Sequence, residues 1–225
     1  MIGSNALIVE WGERLQAVGG RALAGTPMVD PDASQEDRAQ FVKEFVDERG
    51  HRARVATPFL SAMLGVALGD VRPEKMDLDD RLWWAVQEPD SRIADFGASS
   101  DGVGRGPLDP TLGEIAIESR TETELGAMHA LFRLGLERNE PGMIERALSA
   151  ASWQVEELQP DNGTNHPWGI HVFIVLAGRS SNAQRSSAAL MHAQTMLHNC
   201  QVGMGYPDRL SACVLLDAGR TLARV

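Results

Sequence analysis

The sequence has few of the residues that would place it in an oxidising compartment or in a membrane. Its 225 residues include two cysteines, Cys200 and Cys213, whose spacing matches no metal-binding motif. No apolar run approaches the roughly 18 residues needed to cross a bilayer, and residues 1–11 lack the basic start of a signal peptide. These absences predict a cytoplasmic protein with two buried, reduced thiols and no membrane partner.

Positive charge is also scarce. There are 21 Lys and Arg residues against 31 Asp and Glu residues, so the formal net charge is −10. The basic residues form no local run, and an acidic surface repels phosphate backbones. Nucleic acid is therefore excluded as a partner. An unknown small ligand or a protein stays open, and the oligomeric state is not predicted.

Complete catalytic and cofactor motifs are missing. The glycine-rich segment 101–107 contains Arg105, but it has neither the Lys-Ser/Thr pair of a P-loop nor the spacing of a dinucleotide fingerprint. His166 and His171 are five residues apart, about 140° around a helix, instead of the four-residue spacing of a helical zinc site. We therefore predict no metal and no cofactor, and whether the protein is an enzyme stays uncertain.

Helix signals are what the sequence has in abundance. Ser34 with Asp37, and Thr121 with Glu124, are typical of capping boxes at helix starts. Pro141 is typical of a first helical position. Together with apolar residues at helical spacing, such signals predict further helices near 5–22, 57–69, 77–87, 141–158, 167–178, 184–202 and 207–222.

The middle of the chain differs from both sides. Prolines and glycines between residues 88 and 112 predict one long irregular loop. Ile115 and Ile117 alternate with acidic residues, which allows a brief strand. The sequence shows neither an alternation of strands and helices nor a repeat of fixed length. The fold class is therefore all-α, as a single helical domain 1–225 that can be subdivided into 1–87, 88–112 and 113–225.

Two predicted helices form an antiparallel hairpin: Pro141–Leu158 and Pro167–Ala177, joined by residues 159–166. The second helix is apolar nearly all round. This pattern, over about the last 105 residues, resembles the α/α-toroid of terpenoid cyclases, six-hairpin glycosidases and several polysaccharide lyases. The resemblance implies a partial α/α-toroid or a curved helical array, because the chain is too short for six hairpins. The aspartate-rich signatures of the cyclases are absent, so no catalytic residue is carried over.

Residues 153–171 concentrate aromatic and ionisable side chains, and the predicted hairpin would bring them together near one end of the two helices. Indoles suit stacking on a ligand, and carboxylates and imidazoles suit proton transfer. The candidate catalytic residues are Glu156, Glu157, Asp161 and His171, and the candidate ligand-binding residues are Trp153, Asn162, Asn165, His166 and Trp168.

Three functions and one purely structural explanation fit this segment. The first function is a helical-hairpin domain that binds a small ligand or a protein through 153–171. The alternative is a toroid-type hydrolase or lyase acting on a carbohydrate or a similar polar substrate, although the single tyrosine, Tyr206, counts against a sugar site. A third is a structural subunit with its indoles in an interface. In the structural explanation, 161–163 is a turn, residues 164–166 cap a helix, and His171 is a core histidine.

Overall fold

A computed structural model describes residues 4–69, 73–88, 104, 106–109, 117–158 and 166–225. These residues form nine helices and no strand, which confirms the all-helical prediction. The helices are α1 Ser4–Ala22, α2 Gln35–Glu44, α3 Ala56–Leu64, α4 Leu78–Gln87, α5 Ile117–Arg138, α6 Pro141–Glu157, α7 Ile170–Arg179, α8 Ala183–Val202 and α9 Arg209–Leu222. None of them is long and apolar enough to cross a membrane.

Capping chemistry fixes several helix starts where it was predicted. Ser34 and Asp37 form a reciprocal capping box: the Asp37 N–H donates to Ser34 Oγ, and the Ser34 N–H donates to Asp37 Oδ2, each over 3.1 Å. α6 begins at Pro141, whose missing N–H costs nothing at that position. Local signals of this kind are sufficient to place these helix ends.

Two of the predicted starts are wrong. α5 begins at Ile117, so Thr121 lies inside the helix and its hydroxyl donates to the Ile117 carbonyl over 2.7 Å. Ile117 is therefore helical and belongs to no strand, while Ile115 lies outside the described residues. α7 begins at Ile170, later than Pro167 predicted, because Gly169 ends a turn in the left-handed region at φ 71°.

Successive helices pack on one another from α4 through α8, and α7 and α9 lie at the centre of the core. α7 buries seven of its ten residues, and α9 buries twelve of its fourteen. Such nearly complete burial requires neighbours on every side of a helix. α5 and α7 also pack together, so the middles of α5, α7 and α9 form the interior of the domain.

α1 packs against α9 without intervening side chains at two glycines. A Cβ atom added to Gly19 would lie 2.6 Å from the Ala212 carbonyl oxygen, and one added to Gly219 would lie 2.8 Å from the Gly12 carbonyl oxygen. Any larger residue at either position would force the backbones apart. Residues early and late in the sequence are thereby held in direct backbone contact.

Candidate functional site

A cavity of about 420 Å³ lies where helix ends meet, and we call it the end cavity. The connections between α2 and α3, between α6 and α7, and between α8 and α9 all contribute to its wall. Its lining combines apolar and ionisable groups, among them Phe45, Asp47, Arg52, His166, Cys200 and Asp208. A cavity of this size and mixed lining has the dimensions of a small-molecule site.

Arg52 belongs to the frame of the end cavity. Its guanidinium donates to the carbonyls of Val42, Lys43 and Phe45 at the C-terminal end of α2, over 2.7 to 3.1 Å. Nε and Nη2 also donate to Thr57 Oγ1, over 3.2 and 2.7 Å. These bonds use all five N–H groups of the side chain. Arg52 therefore stabilises the end of α2 and has no donor left for a ligand.

Carboxylates of the end cavity are held by backbone donors. Asp47 accepts the N–H groups of Arg49 and His51 over 2.8 and 2.7 Å. Burial alone would raise the pKa of Asp47, but these bonds outweigh it and the pKa lies below its ordinary value. Asp208 caps α9 by accepting from the N–H and the hydroxyl of Ser211. Both groups are fixed in position, and the lowered pKa keeps Asp47 charged at neutral pH.

Among the residues that the structure describes, His166 is hydrogen-bonded at one ring nitrogen, Nδ1, and not at the other, Nε2. Its Nδ1 lies 2.5 Å from Glu122 Oε1, and the same oxygen accepts the Trp168 indole N–H over 3.0 Å. Its Nε2 has no hydrogen-bond partner among the described residues, and Asp208 Oδ1 is 3.9 Å away. Burial would lower the pKa of His166, but the hydrogen bond to Glu122 and the charges of Glu122, Asp208 and Asp47 raise it above its ordinary value.

A second histidine–carboxylate pair lies in the core, sealed from the end cavity. His129 Nε2 is 3.0 Å from Asp217 Oδ2, and Asp217 also forms an ion pair with Arg133. Because the Gly169 N–H donates to His129 Nδ1 over 3.3 Å, the ring proton resides on Nε2 and is donated to Asp217. Burial lowers the pKa of His129 and would raise that of Asp217, but Arg133 and His129 hold the Asp217 pKa well below its usual range. This network ties α5 to α9.

The predicted catalytic residue His171 lies in this core. It is fully buried, with its ring 4.3 Å from that of His129 and 5.1 Å from that of Phe132. Neither ring nitrogen has a hydrogen-bond partner among the described residues. Burial lowers its pKa well below the ordinary value, with the neighbouring His129 adding to the effect, so the ring is neutral. His171 does not reach the end cavity.

The predicted indoles lie in two different surroundings. Trp168 is 1% exposed and packs 4.8 Å from the ring of Phe59, so that only its N–H contacts the polar pair of Glu122 and His166. Trp153 is half-buried and lines a separate hollow of about 30 Å³ beside Glu124. The two rings therefore do not face each other across one space.

The remaining predicted residues do not line the end cavity or lie outside the described residues. Glu156 is exposed and forms an ion pair with Arg185 over 2.8 Å, and Glu157 is exposed as well. Asp161, Asn162 and Asn165 lie outside the described residues. Of the six predicted site residues that the structure describes, His166 alone lines the end cavity. The roles assigned to the nine residues stay predictions.

The described part of the predicted loop is fixed by helices α5 and α6. Glu124, 2% exposed, accepts the N–H groups of Leu108 and Asp109 over 2.5 and 3.2 Å. Arg146 donates to the carbonyl of Gly106 over 3.1 Å. Burial raises the pKa of Glu124 to about 7 despite these bonds. Glu124 thus fastens this segment and does not cap a helix start.

Sequence reasoning missed Glu122, Asp47 and Asp208 as neighbours of His166. Asp208 carried a local signal, since it follows a proline and precedes an apolar helix as N-caps do. Glu122 carried none, because 44 residues separate it from His166 and nothing in the local pattern joins them. Within the described part of the chain, no group of three or more His, Cys, Asp or Glu side chains is arranged to hold a metal ion.

Comparison with known proteins gives no relative for this chain. No protein-family model matches it. No curated protein and no solved structure is similar enough to count as a match. The function therefore has to be argued from the residues of the end cavity.

Proposed function

We propose that this protein is a small-molecule-binding domain whose ligand occupies the end cavity. The observation that carries the proposal is the cavity itself, with about 420 Å³ of space between helix ends. Small-molecule sites fall in the range of roughly 300 to 1,000 Å³ and place a few polar groups among apolar ones. Phe45 and Leu210 supply apolar surface, and His166 and Asp208 supply polar atoms.

The charges around the end cavity favour a neutral, polar ligand. Arg52 uses its donors on α2 and Thr57. The carboxylates of Asp47, Glu48 and Asp208 bring more negative charge to the wall than Arg49 offsets. A phosphate or carboxylate group would be repelled by these carboxylates and would not be met by Arg52. Hydroxyl or amide groups would find acceptors at Asp208 and at the open Nε2 of neutral His166.

We further propose that the helices follow one another as antiparallel hairpins in a partial ring. The proposal is supported by the α2–α3, α6–α7 and α8–α9 connections, which meet at one cavity and therefore lie at one end of the domain. Alternate connections share an end when consecutive helices run in opposite directions. The packing of α1 on α9 is consistent with such an arrangement.

A toroid-type hydrolase or lyase that stacks a sugar between indoles is the weaker proposal. Stacking would need Trp153 and Trp168 to border one open space, and the enclosed position of Trp168 gives that idea no support. Ligand binding at the end cavity needs neither indole to be exposed.

The proposal can be tested by filling the end cavity with a large side chain, introduced at a position where the backbone tolerates one. Gly203 lines the cavity, has ordinary helical backbone angles, and a Cβ there would meet no atom within 4 Å. A library of neutral polar fragments is first screened against the unaltered protein by saturation-transfer NMR. We expect Gly203→Trp to abolish the signals of the fragments that bind. Gly142→Trp is the matched control, because its Cβ is equally unobstructed and Gly142 does not line the cavity.

Both variants should keep the circular dichroism spectrum and the unfolding midpoint of the parent protein. The proposal fails if no fragment binds, or if every bound fragment keeps its signal when Gly203 is tryptophan.

A further inference from the structure

We propose that His166 acts as a general base at Nε2, positioned by Glu122, and that the end cavity hydrolyses a small uncharged ester. This inference rests on the proposed function, since it makes the molecule in the end cavity a substrate. Its basis is the geometry of the pair, with Nδ1 of His166 2.5 Å from Glu122 and Nε2 3.9 Å from Asp208, which lines the cavity as His166 does.

Two fixed contacts orient the imidazole. Glu122 Oε1 accepts from His166 Nδ1 and from the indole N–H of the buried Trp168, so the carboxylate is itself held in place. A carboxylate on Nδ1 selects the tautomer whose free nitrogen is Nε2 and stabilises the imidazolium that forms when Nε2 takes a proton. Nε2 has no hydrogen-bond partner among the described residues, and Asp208 Oδ1 lies 3.9 Å from it, which leaves the nitrogen available to a molecule in the cavity.

Water is the nucleophile that the surroundings of His166 allow. Cys200 lines the cavity, but burial first and the charge of Asp208 second raise the pKa of its thiol to about 12, so the reactive thiolate is absent. Ser211 is fully buried and donates its hydroxyl proton to Asp208. Neither side chain is prepared to form a covalent intermediate.

The two-carboxylate chemistry of glycosidases has less support at this site than ester hydrolysis. That reaction needs one protonated carboxylic acid to donate to the leaving group. Asp47 accepts two backbone N–H bonds that hold its pKa below the ordinary value, so it is not such an acid. An ester needs no such acid, because the base that accepts the proton from water returns it to the leaving oxygen.

The step conserves atoms and charge. Neutral His166 takes a proton from water at Nε2, the O–H bond breaks, and its electron pair forms the new bond from oxygen to the acyl carbon while the C=O π pair moves onto the carbonyl oxygen. That pair then re-forms the C=O bond as the bond between the acyl carbon and the alcohol oxygen breaks, and the alcohol oxygen receives the proton from Nε2. The products are a carboxylic acid and an alcohol, and no oxidant, metal or cofactor takes part.

Charged groups on three sides of His166 set the pH dependence. Glu122 faces it from α5, Asp208 from the start of α9, and Asp47 from the connection between α2 and α3. All three favour the protonated ring, so the base form and the rate both increase as pH rises through the pKa of His166. Removing the charge of Glu122 lowers that pKa and moves the rising limb to lower pH.

The experiment measures hydrolysis of p-nitrophenyl acetate by the full chain across pH 5 to 9. We expect saturation with ester in the parent protein and a loss of about 100-fold or more in kcat for His166→Gln. His198→Gln is the matched control, because His198 is exposed on α8 and does not line the cavity. Glu122→Gln should lower kcat by less and shift the pH midpoint downward, whereas Glu118→Gln, one turn earlier and exposed, should do neither.

Two results would overturn the inference, and they differ in what they say about ligand binding. If hydrolysis saturates and is blocked by Gly203→Trp while His166→Gln keeps the parent rate, the cavity binds the ester but His166 is not the base. If hydrolysis never saturates, the ester is not a substrate, and ligand binding is judged by the fragment screen alone. Recovery of His166→Ala by added imidazole would support the base role specifically.

Discussion

Two histidines with similar carboxylate contacts have pKa values shifted in opposite directions in this protein. In the core, His129 donates to Asp217, and burial keeps the imidazole neutral while Asp217 stays ionised. At the end cavity, His166 bonds to Glu122, and the pKa of the imidazole is raised. A carboxylate partner alone therefore does not determine whether the pKa of a histidine is raised or lowered.

Complete burial of His129 is the largest cause of the difference, and the charge of Arg133 adds to it. In the core Arg133 neutralises Asp217, so protonation of His129 would place a second positive charge in a sealed space. The pair at the end cavity has no arginine among its described contacts, and Asp208 adds a further negative charge. The core pair is therefore a structural link between α5 and α9, whereas Nε2 of His166 has no hydrogen-bond partner among the described residues.

The largest expected effect comes from removing the charge that the core pair depends on. Asp217→Asn leaves the buried Arg133 without its main counter-charge, although Glu137 still accepts from its Nε over 2.9 Å. We expect a loss of about 3 kcal/mol in the free energy of unfolding, the low end for a broken buried ion pair. Urea denaturation at pH 7 measures it.

A matched carboxylate-to-amide change on the surface provides the control. Glu145 pairs with Arg179, and both side chains are well exposed, so Glu145→Gln should stay within about 0.5 kcal/mol of the parent. Equal losses for the two variants would mean that the core network contributes no more than a surface pair.

A change beside the core pair should increase stability. His171 buries two ring nitrogens without hydrogen-bond partners among the described residues, and His171→Leu removes them. We expect a gain of about 1 to 2 kcal/mol at pH 7, again by urea denaturation. The same variant should leave fragment binding at the end cavity unchanged, in contrast to a catalytic role for His171.

The pH dependence of this variant checks the reason for the gain. The lowered pKa of His171 means that the unfolded chain binds its proton first, so the parent loses stability as pH falls below about 6.5. His171→Leu should lose less over that range, while His129 and His192 still contribute in both proteins. Parallel pH curves would show that His171 is not the buried neutral group described above.

The smallest effect concerns the cavity pair and has the opposite sign with pH. Because the pKa of His166 is raised in the fold, its contribution to stability is present below about pH 6.5 and is lost as pH rises through the folded pKa. His166→Gln should therefore cost about 0.5 kcal/mol at pH 6 and less at pH 9. A cost that increases with pH would contradict the assignment of Glu122 as its partner.

The sequence was informative wherever a structural decision is local. The all-helical class, the Ser34–Asp37 capping box and the start of α6 at Pro141 follow from residues within a turn of one another. The start of α5 was misplaced because Thr121 and Glu124 have the spacing of a capping box but are used inside the helix and against the segment around Leu108.

The site was harder to predict because it depends on contacts between distant segments. The sequence pointed to His166 because its own segment is rich in polar residues. Its actual neighbours are Glu122 on α5 and Asp208 at the start of α9. His129 and Asp217, 88 residues apart, gave no signal at all. A helix periodicity reports which face is buried, but not which distant side chain it will meet.

The glycine contact between α1 and α9 has a consequence for the order of folding. The two helices are separated by residues 23–208, so during synthesis α1 leaves the ribosome long before the surface on which it packs exists. Closing a loop of that length delays the contact relative to the local hairpins. Until α9 has been translated, the face of α1 at Gly12 and Gly19 lacks its backbone partner, and a nascent chain at that stage exposes this face to chaperones.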